Sequence, residues 1–308
     1  MSNPCFEIAV RQGAVEFWLD RRLPFEPKGD YIAARRSPRA AIQSLSSSPS
    51  DILAATYTSL ETAGCDVENV LLYNVGCSAF ASTTRKGVQF VRSCAAPPPS
   101  PSGKSYLHHH RYEIVPWCGV TAPENACEFS FPLERISAGT KAHNVWWAAA
   151  SADTVPSAPI LGPFVLEVQL PTTSVVGNLS GVVKPLVDGV ICALHSDSRV
   201  AQDAVLRLAA LTGWSADEIM QRLNAPRNPL LGSRPLLRSY RGFVKWNPAD
   251  DLCHRGLVAI RDDASRICTV SCYGVAAGLS QKDVLPPPYS TSRSSGNPTR
   301  PAKSGQSA

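Results

Sequence analysis

Two proline-rich segments divide the chain and limit what each part can fold into. The first is CAAPPPSPSGKS at 94–105, and the second begins near Lys282 and continues to the last residue. Proline lacks a backbone N–H and fixes φ, so neither segment suits a helix interior or a central strand. We therefore expect a linker at 94–105 between an N-terminal α+β domain (1–93) and a second domain (106–281). The tail 282–308 has too few apolar residues to offset its chain entropy, so we expect it to be disordered.

Hydrophobic patterns in the N-terminal part predict both strands and a helix. CFEIAV and AVEFWL alternate on either side of Arg11-Gln12-Gly13, which predicts a hairpin. Apolar residues at 53, 57 and 60 of segment 50–64 predict a short helix, and the apolar run in segment 65–76 predicts a buried strand. GVQFVRS and RYEIVPW are further strand candidates.

The second part mixes the two patterns again. Segment 137–153 is typical of a helix. Segment 162–171 is typical of a strand that is exposed to solvent on one side. Val187, Val190, Ile191 and Leu194 form one face of a helix. Two more helices, which form a helical insertion, are predicted from SRVAQDAVLRLAALTG and SADEIMQRLN. A closing hairpin is predicted from GLVAIRD and ICTVSCYGV. We expect an α+β fold of mixed sheets with packed helices.

Composition narrows the class of protein. Hydrophobic residues make up 44% of the 308 residues, which is typical of a globular chain, and the net charge is +5. No apolar run is long enough to cross a membrane and no signal pattern opens the chain, so we expect a cytoplasmic protein without a membrane partner. The ten cysteines form no CxxC pair, and we expect most of them to be small buried hydrophobes.

The segment GNLSGVVKPLVDGVICALHSDSRV (177–200) combines a polar turn, a helix bearing Lys184 and Asp188, and a second polar turn with Asp197. This order resembles the RusA family of Holliday junction resolvases, whose motif is Asp-x-Asp-Asn-x-x-Lys-x-x-x-Asp-Ala-Leu followed by an Asp-Asp-Ser-Gln-Val-like turn. The resemblance covers about residues 137–200. It implies a Mg²⁺-dependent endonuclease that binds branched DNA as a homodimer.

The segment departs from the family motif at its acidic positions. Asn178 and Ser180 occupy the positions of the two leading aspartates of the family motif, and Gly181 occupies the position of its asparagine. Hard cations such as Mg²⁺ are held by carboxylate oxygens, which Asn and Ser lack. Asp197 is the one candidate carboxylate that remains there. This segment alone therefore predicts a degenerate active site.

The first part of the chain contains the missing acids. Asp66-x-Glu68-Asn69 repeats the acid-x-acid-Asn pattern, but Leu72 stands at the lysine position and Gly76 at the helix aspartate. Two diverged RusA-like units could therefore form an intramolecular pseudo-dimer with a composite site, and a homodimer is the alternative. The candidate catalytic and metal-ligating residues are Asp66, Glu68 and Asp197, with Asn69 and Asp188 beside them and Mg²⁺ as the cofactor of an active site.

Basic residues indicate where DNA could bind. Beyond Lys184, the candidate DNA-binding residues are Arg234, Arg238, Arg241 and Lys245. Three functions stay open at this point: a junction-binding protein with a degenerate site and a binding or scaffolding role, an active structure-specific endonuclease with a composite site, and an unrelated α+β protein. The alternative for Lys184 and Asp188 is a surface pair of residues four apart on a helix.

Overall fold

The computed structural model describes residues 5–61, 65–119, 122–153, 158–175, 177–226, 229–263 and 265–275. A nine-stranded mixed sheet with packed helices confirms the predicted α+β class. The tail predicted to be disordered, 282–308, lies outside the described residues. Among the residues described, no helix is both long enough and apolar enough to cross a bilayer.

The main sheet contains strands from the whole described chain. Its strands are β1 (Phe6–Arg11), β2 (Ala14–Leu19), β3 (Asp51–Thr58), β4 (Gly87–Ser93), β5 (His108–Pro116), β6 (Cys127–Pro132), β7 (Phe164–Pro171), β12 (Cys253–Arg261) and β13 (Ile267–Gly274). They lie in the order β1-β2-β5-β3-β4-β12-β7-β13-β6. Four short strands form two separate ribbons: β8 (Ser196–Asp197) with β9 (Ser233–Arg234), and β10 (Leu237–Tyr240) with β11 (Phe243–Trp246).

The α-helices are α1 (Asp30–Gln43), α2 (Ala142–Ala149), α3 (Val183–Ala193), α4 (Gln202–Thr212) and α5 (Ala216–Asn224), and a π-helix covers Asn69–Tyr73. The helices α2 and α3 pack against each other at Gly189. A Cβ atom there would lie 2.6 Å from both the Ala142 carbonyl oxygen and Val145 Cβ. The close contact therefore requires glycine and fixes the position of α3.

The two halves of the sheet have the same order of elements. Apart from β1 and the segment between α3 and β12, the first half runs β2, α1, β3, π-helix, β4, β5, and the second runs β6, α2, β7, α3, β12, β13. In each half the second strand is parallel to the third and antiparallel to the fourth, and the fourth is antiparallel to the first. The strands β4 and β12 meet antiparallel at the centre. The chain thus contains an internal repeat with an approximate two-fold relation.

The helix predicted at 50–64 and the strand predicted at 65–76 are both wrong. The first segment forms β3, which lies between β5 and β4 inside the sheet. Leu60, counted on the predicted helix face, is 72% exposed, while Leu53 and Tyr57 are buried on one face of the strand. The apolar run that follows forms the π-helix, because a short buried run fits a helix as well as a strand.

The predicted domain boundary and the predicted C-terminal hairpin also differ from the structure. The strand β5 follows segment 94–105 and pairs with β2 and β3, so this segment is a crossover within one sheet rather than a linker between domains. Trp18 Nε1 donates a hydrogen bond to the Pro98 carbonyl at 2.9 Å, which holds the crossover against β2. The strands β12 and β13 do not pair, because β7 lies between them and pairs with both.

Several local predictions are confirmed. The first hairpin, the strand β7 and the helices α2 to α5 form where the patterns indicate. The expectation that one side of β7 is exposed to solvent is wrong, because Glu167 on that side is buried and forms an ion pair with Arg255. Glu218 N donates to Ser215 Oγ at 3.2 Å, as expected for a helix cap. Six of the ten cysteines are buried. The predicted helical insertion, α4 and α5, lies between α3 and β12 together with the two ribbons.

Candidate metal centre

Strand directions bring two distant segments together at one edge of the sheet. The strands β3 and β4 are parallel, so their carboxyl ends share an edge. The strand β12 is antiparallel to β4, so its amino end lies at that same edge. The segment that follows β3 and the turn that precedes β12 therefore meet, although they belong to different halves of the chain.

Three carboxylates from these segments form a cluster. Asp66 and Glu68 follow β3, and Asp250 lies in the turn before β12. One carboxylate oxygen of each lies within 4.8 Å of the others. Among the residues that the structure describes, no other set of three or more His, Cys, Asp and Glu side chains offers ligand atoms this close. The Glu68 side chain is fully buried, whereas that of Asp66 is 31% exposed and opens the cluster to solvent.

The ammonium group of Lys184, in the first turn of α3, lies among these acids. Its Nζ is 3.1 Å from Glu68 Oε1, 3.1 Å from Asp250 Oδ2 and 3.5 Å from Asp66 Oδ2. Asp188, one turn further along α3, is 2.9 Å away. Four carboxylates thus face one ammonium, and the predicted pair Lys184 and Asp188 belongs to a partly buried network rather than to a surface.

Hydrogen bonds hold the segments in place. Arg92, buried at the carboxyl end of β4, donates to the Asp251 carbonyl at 2.5 Å and also to the Cys65 carbonyl, so one guanidinium joins both acid-bearing segments. Tyr73 Oη accepts a hydrogen bond from Lys184 N at 3.1 Å. Asn69 Nδ2 donates to Asp66 Oδ2 at 2.5 Å, which orients the more exposed carboxylate.

Burial changes the acidity of the cluster. It raises the pKa of Glu68 to about 7, since Lys184 offsets only part of the desolvation. Burial likewise raises the pKa of Asp250 to about 7 and that of Asp188 to about 6. Burial opposes the charge of Lys184, but the surrounding carboxylates outweigh it and raise its pKa. The cluster has more carboxylates than one lysine can neutralise, and the raised pKa values of Glu68, Asp188 and Asp250 mean that these three groups take up protons more readily than exposed carboxylates.

The residues present fit a hard divalent cation. All three clustered side chains offer oxygen ligands, the type that Mg²⁺, Mn²⁺ and Ca²⁺ prefer. Glu68 Oε2 is buried and has no hydrogen-bond partner, which is unusual for a carboxylate oxygen in a protein interior. A cation bound between the three carboxylates would satisfy that oxygen and offset the excess charge. Asp66, Glu68 and Asp250 are the residues that could hold it.

The structure brings together some of the predicted site residues and separates one. Asp66, Glu68, Asn69, Lys184 and Asp188 all belong to the cluster or contact it. Asp197, the predicted third carboxylate, is not part of the cluster. Its Oδ1 accepts from Arg199 N at 2.9 Å and its Oδ2 from Leu237 N at 3.2 Å, so it stabilises the loop after α3.

Asp250 takes the place that the sequence prediction gave to Asp197. Sequence reasoning missed it because it lies 66 residues beyond Lys184, across the whole helical insertion. The signal that could have found it is a pair of consecutive aspartates, Asp250-Asp251, one residue before the start of β12. The pair Asp262-Asp263 also directly follows a strand, so this signal alone would not have been decisive.

The predicted basic residues other than Lys184 lie on or near one hairpin. Arg238 pairs across from Lys245 on β10 and β11, and Arg241 lies at the turn between them. Arg234 Nη1 lies 3.9 Å from Asp251 Oδ1, which places this end of the hairpin segment next to the acidic turn. Lys184 instead lies within the acidic cluster.

In comparisons with known proteins, the chain matches no family model, no curated protein and no solved structure.

Proposed function

We propose that this chain is a Mg²⁺-dependent endonuclease that cuts branched DNA at a composite site. The observation that carries the proposal is the convergence of Asp66, Glu68 and Asp250, from both halves of the chain, around a buried carboxylate oxygen without a partner. Among the functions open from the sequence, this arrangement supports the active composite site over a degenerate one. The RusA resemblance and the internal repeat support a branched substrate.

Each residue of the cluster has a role in this proposal. Asp66, Glu68 and Asp250 would hold the cation, which when bound polarises a phosphodiester and lowers the pKa of a bound water. Lys184 stays positively charged and would pair with a phosphate oxygen once the cation engages the carboxylates. Asp188, 2.9 Å from Lys184 Nζ, positions that ammonium. Arg92 keeps the two acid-bearing segments in register.

A basic hairpin segment, of which Arg234 lies next to the acidic turn, supports a nucleic-acid substrate. The hairpin β10–β11 carries Arg238, Arg241 and Lys245, and segment 234–246 contains no acidic residue. Phe243 on the same hairpin is 74% exposed. Cations bind the phosphate backbone and an exposed aromatic ring can stack on a base, so this combination suits nucleic acid.

Cleavage of a labelled synthetic four-way junction with Mg²⁺ or Mn²⁺ tests the proposal. We expect Asp66→Asn and Asp250→Asn to lower the cleavage rate more than about 100-fold, beyond the 10- to 100-fold cost of losing an outer hydrogen-bond partner. Glu124→Gln, an exposed acid outside the cluster, is the matched control and should leave the rate unchanged. Junction cleavage that is unaffected by either aspartate variant would refute the site.

A second candidate function is junction binding without cleavage, in a scaffolding role. It is favoured by the position of the Lys184 ammonium, which already contacts all four carboxylates and could serve as a permanent counter-ion. The two candidates differ in metal binding. A non-cleaving protein would bind the junction equally well with EDTA and with Mn²⁺, and Mn²⁺ would not raise its melting temperature.

A further inference from the structure

The internal repeat places a second constellation opposite the acidic cluster. Asp66 and Glu68 lie between β3 and the π-helix, and the equivalent segment between β7 and α3 contains Asn178 and Ser180. Each pair has the same spacing of two residues. The acids of the first half therefore have neutral counterparts in the second half.

The third acid has a neutral counterpart as well. Asp250 lies three residues before the first residue of β12, and Thr84 lies three residues before the first residue of β4. The strands β4 and β12 are the equivalent strands that meet at the centre of the sheet. Thr84 comes from the half opposite to Asn178, just as Asp250 comes from the half opposite to Asp66.

The three counterparts meet in the same way as the acids do. Thr84 Oγ1 lies 3.5 Å from Asn178 Oδ1, and Ser180 Oγ lies 2.8 Å from that same oxygen. The Cys77 carbonyl accepts from Asn178 Nδ2 at 3.1 Å and lies 2.8 Å from Ser180 Oγ. This second constellation is thus assembled and hydrogen-bonded but contains no carboxylate.

The helix residues beside the second constellation also lack the charges found beside the acidic cluster. Leu72, fully buried, stands where the second half has Lys184, and Gly76 stands where it has Asp188. The second constellation therefore lacks both the ligands for a cation and the charged pair beside them. Amide and hydroxyl oxygens alone bind hard divalent cations weakly compared with carboxylates.

We propose that each chain contains a single divalent-cation centre, and that a bound chain consequently cuts one DNA strand and leaves a nick. This inference rests on the proposed function. Hydrolysis consumes one water: its oxygen forms a new P–O bond while the P–O bond to one sugar breaks, and its proton passes to the leaving oxygen. A two-fold pair of acidic centres would cut two strands, whereas the neutral centre leaves the second strand intact.

Titration with Mn²⁺, followed by calorimetry or electron paramagnetic resonance, tests the single centre without requiring activity. We expect the substitution pair Glu68→Gln and Asp250→Asn to abolish the Mn²⁺ bound to the wild-type chain. The matched pair Asn178→Ala and Ser180→Ala alters the neutral counterpart and should leave binding unchanged. Mn²⁺ that persists in the acidic-centre variant and is lost in the other would overturn the inference, and so would a wild-type chain that binds no Mn²⁺.

Cleavage of a supercoiled plasmid with an extruded cruciform tests the single cut. At a low ratio of protein to plasmid we expect nicked circles as the first product, with linear DNA arising later and in proportion to protein concentration. Linear DNA as the first product would overturn the single cut but leave the proposed nuclease function intact. Absence of any cleavage, with Mn²⁺ bound, would refute both the nuclease function and the single cut.

Discussion

Glu68 is the residue on which the candidate metal centre depends most. Its side chain is fully buried, its Oε1 lies 3.1 Å from Lys184 Nζ, and its Oε2 has no partner. Burying a carboxylate oxygen without a partner costs free energy, so such an atom calls for a physical reason. Under the proposal a bound cation would supply that reason, because it would satisfy the oxygen and favour the ionised form.

The first prediction concerns Glu68→Gln. At 100 times its dissociation constant, Mn²⁺ should raise the free energy of unfolding of the wild-type chain by about 2.7 kcal/mol. The variant lacks a charged ligand and should show a far smaller increase at the same Mn²⁺ concentration. Thermal unfolding with Mn²⁺ and with EDTA measures both. Equal stabilisation of wild type and variant would show that Glu68 is not a ligand.

At the scale of elements, the packing of α2 on α3 fixes the position of Lys184. The helices touch at Gly189, where no Cβ atom can be accommodated without moving backbone. Lys184 and Asp188 lie on the same helix as this glycine. The position of the ammonium among the acids therefore depends on a contact on another face of α3.

The second prediction concerns Gly189→Ala. The added Cβ would lie 2.6 Å from the Ala142 carbonyl oxygen, so α2 and α3 should separate, at a cost of about 1 to 3 kcal/mol in the free energy of unfolding. Gly139→Ala is the matched control, because its nearest contact is 3.8 Å away. Urea denaturation compares the two. Equal free energies of unfolding would contradict the close contact.

The third prediction concerns the strand β5 and its buried histidines. Burial lowers the pKa of His108 and His109, and that of His110 falls well below its ordinary value of 6.5. The unfolded chain therefore takes up protons below about pH 6.5 that the folded chain does not. Each such histidine should lower the free energy of unfolding by up to about 1.4 kcal/mol per pH unit as the pH falls below this value.

His110→Phe isolates one of these contributions, because phenylalanine keeps the stacking on Phe17, whose ring centroid lies 4.3 Å away, and does not titrate. We expect the stability difference between variant and wild type to be constant above pH 7 and to shift in favour of the variant as the pH falls below 6.5. Urea titrations at several pH values measure it. A difference that does not change with pH would show that His110 titrates normally.

The elements also show how far the sequence could predict this protein. The apolar stripe of α3 and the alternation in β1, β2 and β7 identify their structures because the period of the apolar residues matches one type of element, although β2 and β7 are buried on both faces. The segment of β3 predicts a helix instead, because the continuous apolar run 52–55 lacks alternation and the residues at 53, 57 and 60 match a helix period. At the site, the spacing of Asp66 and Glu68 was visible, but Asp250 joins them only through the pairing of β4 with β12.

At the scale of the whole molecule, the internal repeat makes one chain resemble a pair of subunits. The acidic cluster contains Asp66 and Glu68 from the first half and Asp250 from the second, and the second half also contributes Lys184 and Asp188 beside it. Neither half contains a complete centre. We therefore expect the candidate function to require the intact sheet, in which β4 and β12 join the halves.

The fourth prediction concerns DNA binding by the hairpin β10–β11. Replacing Arg238 and Lys245 together by alanine should weaken junction binding and reduce the slope of log affinity against log salt by about 2, since each phosphate contact contributes about 0.9. Lys86→Ala, at the amino end of β4 and thus at the opposite edge of the sheet, is the control. Fluorescence anisotropy at several salt concentrations gives the slopes. An unchanged slope in the double variant would place the DNA elsewhere.

The most direct test of the composite centre is a crystal structure of the chain grown with Mn²⁺, with anomalous scattering used to locate the ion. We predict anomalous density at about 2.2 Å from carboxylate oxygens of Asp66, Glu68 and Asp250, with Lys184 displaced toward solvent or toward a bound phosphate. Crystals grown with EDTA should lack this density. Density at Asp197, or none near the three acids at millimolar Mn²⁺, would contradict the account.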